Sequence, residues 1–155
     1  MTEETKKTEQ TQENMQPALM INSQYIKDLS LEIPHAPAIF KELTKQPQLK
    51  VDVRIDTDDL GDNAYNVSLS LALNGDLDTK KLFILELTYA AVVILNVQKE
   101  HIDPILNIEI PRLIYPFARN IIAQCLMEGG LPPLMLNPID FGAIYAARQA
   151  SKGKN

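Results

Sequence analysis

Residues 65–89 read YNVSLSLALNGDLDTKKLFILELTY, and their pattern decides the fold. Tyr65, Val67, Leu69, Leu71 and Leu73 alternate with Asn66, Ser68 and Ser70, and Phe83, Leu85, Leu87 and Tyr89 alternate with Ile84, Glu86 and Thr88. Such a period of two places apolar side chains on one side of a strand and polar ones on the other, the mark of an antiparallel sheet with one wet face. Residues 74–79 between them supply Asn, Gly and Asp, which a tight hairpin turn demands. Upstream, Leu49, Val51, Val53 and Ile55 alternate with Lys50, Asp52, Arg54 and Asp56, and residues 58–63 supply a second turn. These three strands are expected to form a meander. An earlier strand carries Tyr25, Leu29, Leu31 and Ile33 on one face and Asp28, Ser30 and Glu32 on the other. Residues 34–47 then hold three prolines and are too long for a hairpin. They are expected to cross the sheet and leave the first strand away from the second, so Ile39, Phe40 and Leu43 must rest on something.

Beyond residue 96 the period becomes helical. Ile114, Phe117, Ala118, Ile121, Ile122, Cys125 and Leu126 recur at three- and four-residue spacing, opposite Arg119, Asn120, Gln124 and Glu128. Gly129 and Gly130 supply a C-terminal stop. Pro116 either begins this helix or kinks it, because a proline inside removes a backbone hydrogen bond. Residues 131–136, with Pro132 and Pro133, read as an extended apolar connector. Asn137 is expected to cap a last helix, with Pro138 at its first position, Asp140 in its first turn, and Phe141, Ile144 and Tyr145 as its stripe. Strands first and helices after give an α+β class: a four-stranded antiparallel sheet followed by helices. The long helix is apolar over a wider arc than one small sheet covers, with Leu113 and Met127 extending it. Surplus apolar surface of this kind implies oligomerisation.

A chain of 155 residues, 45% hydrophobic and 23% charged, suits one globular domain. Residues 1–18 offer almost nothing to bury and are expected to form a disordered tail; residues 19–149 form the folded domain and 150–155 a frayed C-terminal tail. No apolar core follows the first lysines as a secretory signal would require. The longest apolar run, residues 89–95, is far short of the ~20 residues that span a membrane. A net charge of -5 and a pI near 5.0 argue against nucleic acid and anionic lipid as partners. A single cysteine, Cys125, excludes an intrachain disulfide and a cysteine-based zinc site, and fits a reducing compartment.

No catalytic constellation emerges. His35 and His101 lack a second ligand at helical spacing and read as surface or capping residues. Cys125 lies on the apolar stripe and reads as packing, and Glu109 is a lone carboxylate. The acids of the wet face carry more. If the first and fourth strands are neighbours, Asp28, Glu32 and Glu86 surround Ile84. That patch is either a plain solvated sheet face or a docking site for a basic partner, steered by charge and anchored by Ile84.

QYIKDLSLEIPHAP (residues 24–37) and IEIPRLIYPFARNIIAQCLMEGGLPPLMLNPIDFGAIY (residues 108–145) closely resemble the SecB export chaperones, and the likeness extends over roughly residues 22–145. The resemblance implies a cytoplasmic chaperone, not an enzyme and without a cofactor, that holds unfolded preproteins and hands them to the translocation ATPase SecA. It also implies a homotetramer, a dimer of dimers whose sheets pair through first strands and whose long helices pack between sheets. Carried over by position, Asp28, Glu32, Ile84 and Glu86 match the SecA-contacting positions. Phe40, Phe83, Phe141 and Tyr145 match a client groove between the crossover and the last helix, and each has plain core as its other reading. Departures from the family pattern are Tyr89-Ala90-Ala91-Val92-Val93 in place of a glycine-containing stretch, the absence of a crossover tryptophan, and a short basic C-terminus with Arg148, Lys152 and Lys154. A holdase of the same fold serving another partner, such as a toxin–antitoxin system, is the alternative. A small-molecule enzyme on an α+β scaffold lacks any acid, base or metal set.

Overall fold

The computed structural model of the chain describes residues 16–153; most of the expected N-terminal tail and the last two residues lie outside them. Four strands, β1 (Leu19–Glu32), β2 (Gln48–Gly61), β3 (Ala64–Leu77) and β4 (Lys80–Leu95), form one antiparallel sheet in the order β1-β4-β3-β2. The crossover, which contains a 3-10 turn at Ala38–Lys41, carries the chain from one edge of the sheet to the other. β1 and β2 are therefore both edge strands, as the proline-rich connection led one to expect. The β2–β3 hairpin turns on Asp62 and Asn63, both at positive φ (54° and 62°), and the β3–β4 hairpin on Asp78 at φ 52°. Short polar side chains tolerate this left-handed region, and two such residues in a row set a turn whose twist matches the strands.

β1 departs from simple alternation. Its pairing with β4 slips between Ile21 and Ser23 and again between Ile26 and Asp28. Each bulge inserts one residue and swaps the faces of the residues beyond it. Tyr25 consequently does not share the apolar face with Leu29 and Leu31, as strict alternation assigns it. It stands opposite Ala90 on the open face, and its hydroxyl donates to Asn66 Oδ1 at 2.8 Å.

The helical half begins with α1 (Lys99–Pro104), a π-helical turn (Ile105–Glu109) and α2 (Ile110–Glu128), which run on from one another without leaving the right-handed helical backbone. Pro104 and Pro111 flank the widened turn, where a proline ring would otherwise press on the carbonyl four residues back. Pro116 lies inside α2, so it interrupts the ladder and does not begin the helix. Asn107, buried in the π turn, donates to the Asp103 carbonyl at 2.9 Å and to its carboxylate at 3.1 Å. α3 (Phe141–Lys152) is capped by Asp140, whose carboxylate accepts from the Ala143 N–H at 3.0 Å. Asn137 stands outside this helix; its carbonyl accepts the Tyr115 hydroxyl at 2.6 Å. The helix continues to Lys152, past the limit expected at residue 149.

The core lies between one sheet face and α2. Ile110, Ile114, Ala118, Ile122 and Leu126 form a buried ridge at four-residue spacing, packed onto Leu69, Leu71, Leu73, Leu85 and Leu87. Each such side chain contributes about 1.5–3 kcal/mol by leaving water. Leu113, Phe117 and Met127, on the other side of α2, remain exposed. At the lower end of the sheet the Phe83 ring occupies the space that a Cβ on Gly75 would fill. Gly75→Ala should therefore overpack this contact and lower the unfolding free energy by about 1–3 kcal/mol in urea denaturation. An unchanged midpoint would show that Phe83 yields freely.

Candidate functional site

The sheet presents two distinct surfaces, one polar and one apolar. On the open face, cross-strand pairing aligns side chains in rows. One row runs Asp28, Thr88, Ser70, Arg54; the next Ser30, Glu86, Ala72, Asp52; the third Glu32, Ile84, Asn74, Lys50. Asp28, Glu32, Ile84 and Glu86 thus come together in three consecutive rows on β1 and β4, with the acids exposed and Ile84 half-buried. Below them the sheet twists into a hollow of about 460 Å³ lined by Asp28, Asp52, Arg54, Ser70, Glu86 and Thr88. Ser70 and Thr88 bond to each other at 3.1 Å on its floor.

The apolar surface lies on the covered side, along the free edge of β2 and beside α2. A narrow hollow of about 170 Å³ is walled by Pro47, Leu49, Phe83, Leu131 and Leu134. Leu49 and Leu134 continue into a shallower trough of about 430 Å³ lined by Val51, Val53, Tyr115, Met135 and Leu136. Val51 is 37% and Met135 64% exposed, so this floor is open to an incoming chain.

The four aromatic candidates are not brought together. Phe83 walls the narrow hollow although it is itself buried, and Phe40 lies half-exposed against Gly130. Phe141 is buried edge-to-face on Tyr115, with ring centroids 5.8 Å apart, and lines neither hollow. Tyr145 faces a polar recess with Asp103, Asn107, Arg148 and Gln149. The sequence did not single out Leu49, Val51, Val53, Leu134 and Met135 as lining a common hollow. The signal lay in an apolar, proline-bounded connector whose middle has no helix to join. Among the described residues no cluster of His, Cys, Asp and Glu suits a metal ion.

The recess holds α3 in place. Tyr145 donates to Asp103 at 2.8 Å, and Arg148 donates to the Ile55 carbonyl at 3.2 Å. Donation to Asp103, assisted by partial burial and the Asp103 charge, raises the Tyr145 phenol above its ordinary 10.0. A raised acid stabilises the fold fully below the unfolded value and loses that contribution as pH rises through the folded one. Absorbance titration should find a phenol ionising above pH 10 that Asp103→Asn moves back toward 10, with α3 amide exchange accelerating over the same interval. A titration indifferent to Asp103→Asn would remove the tether. Tyr89 and Tyr115, raised by burial, serve as internal references.

A family model described as preprotein translocase subunit SecB matches residues 12–152. The chain is 53% identical over 135 residues to the protein-export protein SecB of Paramagnetospirillum magneticum, covering 86% of this chain and 87% of that protein. It is 48% identical over 133 residues to that of Rhodospirillum rubrum, covering 86% and 83%. Among solved structures, a SecB-like chaperone of Mycobacterium tuberculosis, in complex with an antitoxin peptide, aligns with a TM-score of 0.67. That alignment covers 79% of this chain and 91% of the other at 15% identity, a likeness of fold. No helix among the described residues is long and apolar enough to cross a membrane. By fold and by sequence, the chain belongs to the SecB family of protein-export chaperones, which are not enzymes.

Proposed function

We propose that this protein is a cytoplasmic, homotetrameric holdase that keeps unfolded preproteins translocation-competent in the β2 groove and delivers them to SecA through the open acidic face. One observation carries the reading: Asp28, Glu32 and Glu86 surround Ile84 on the side of the sheet opposite the apolar groove. Two surfaces separated by the sheet can be occupied at once, which a handover between client and ATPase requires. In the groove, an extended client buries side chains at about 1.5–3 kcal/mol for each large one. The free β2 edge offers unpaired backbone groups for sequence-independent hydrogen bonds. A folded client presents no such segment, so slow folders are retained, and binding consumes no nucleotide. The tetramer is supported by apolar surface left bare at two places, Ile26 and Leu29 along β1 and Leu113, Phe117 and Met127 on the outer side of α2.

Light scattering should give about four times 17.4 kDa, and a monomer at micromolar concentration would overturn the assembly. Glu86→Lys should weaken SecA binding about tenfold or more while leaving arrest of a refolding preprotein intact. Val51→Asp should do the reverse. If either variant abolishes both activities, the two surfaces are not independent. Signal-bearing chains in a pull-down separate this reading from service to a toxin–antitoxin partner.

A further inference from the structure

The acidic face is not uniformly acidic. Arg54 stands in the row of Asp28, Thr88 and Ser70, three strand spacings from Asp28, about 14 Å. It borders two hollows at once. One holds Asp28, Asp52 and Glu86; the other, of about 350 Å³, holds Lys27, Asp28, Asp56 and Asp58. Its Nε donates to Asp56 Oδ2 at 2.9 Å, which fixes the guanidinium, while the side chain stays 76% exposed. The terminal nitrogens have no partner among the described residues. A guanidinium pre-oriented in this way presents a planar pair of donors matched to a carboxylate.

We infer that Arg54 sets a cationic point among the acids at the far edge of the docking face and selects a partner segment of mixed charge, with basic residues over Asp28, Glu32 and Glu86 and a carboxylate over Arg54. This rests on the reading of the open face as the SecA surface and names the chemistry that SecA must present there. A purely basic segment that spans the sheet meets Arg54, already paired with Asp56, as a like charge at the far edge of its footprint, which weakens the attraction the acids alone would exert on a polycation. A mixed segment gains a bidentate ion pair at the same point. Arg54 is thus a specificity determinant in both directions, for one class of partner and against another.

The test uses the full-length protein, SecA from the same organism and a decalysine peptide as the polycation probe. Because Arg54 is exposed, circular dichroism and light scattering of its variants should match the parent. Arg54→Ala should weaken SecA binding about three- to tenfold and Arg54→Glu more, with Arg54→Lys restoring only part because an ammonium cannot bind bidentately. The decalysine peptide should bind Arg54→Ala more tightly than the parent at low salt. SecA affinity that is unchanged or improved in Arg54→Ala overturns the inference, as does decalysine binding indifferent to it. Glu86→Lys run alongside separates the two readings. If it leaves SecA affinity unchanged, the docking face itself is misplaced; if it weakens SecA while the Arg54 variants do not, only the role of Arg54 falls.

Discussion

A single helix is about 10–12 Å wide, whereas four strands at ~4.8 Å spacing make a sheet nearly twice that. α2 therefore cannot cover the apolar face it packs on. Its ridge from Ile110 to Leu126 sits chiefly over β3 and β4, the two central strands, where burial is complete. Both flanks of the same face are left with apolar residues that α2 does not fully bury. On the β1 flank these are Ile26 and Leu29, and on the β2 flank Val51 and Val53. The mismatch between helix width and sheet width thus leaves, from one cause, two bare apolar strips, the one proposed for self-association and the one proposed for guests.

The β2 flank is held open by the way its roof is anchored. Leu131 and Leu136 are buried at the two ends of the connector. The Tyr115 hydroxyl grips the Asn137 carbonyl and Arg119 donates to the Leu136 carbonyl at 3.4 Å. Pro132 and Pro133 prevent the intervening residues from winding into a helix. Leu134 and Met135 are consequently presented toward β2 by a segment pinned on either side. A groove built in advance spares a guest much of the ordering cost that would otherwise reduce its affinity.

The sheet, the hairpins and the crossover were legible in the sequence because period-two alternation and turn chemistry are local signals. So was the grouping of Asp28, Glu32, Ile84 and Glu86, once β1 and β4 were taken as neighbours. The side of Tyr25 was not legible, since a bulge adds a residue without leaving a mark in composition. The widened turn between Pro104 and Pro111 escaped for a similar reason: prolines signal a broken ladder, not the winding that repairs it. The groove was hardest, because Leu49 and Leu134 are far apart in the chain and meet only through tertiary packing. Periodicity placed Phe141 and Tyr145 on one helical stripe but could not say that one neighbour would be Tyr115 and the other Asp103. Arg54 was visibly on the wet face; its position amid carboxylates depended on strand order.

Tyr25 has a mechanical consequence. Its side chain passes over Ala90 on β4 to Asn66 on β3, and Asn66 in turn reaches Ser68 at 3.1 Å and Asp58 on β2 at 3.4 Å. This polar brace runs across all four strands at right angles to the backbone ladders. An edge strand pulled away from a sheet ordinarily fails one rung at a time, like a zip. Here a load on β1 is passed through the brace to the opposite edge, so the strands must shear together. The two free edges of the sheet thus carry any strain as one body instead of strand by strand.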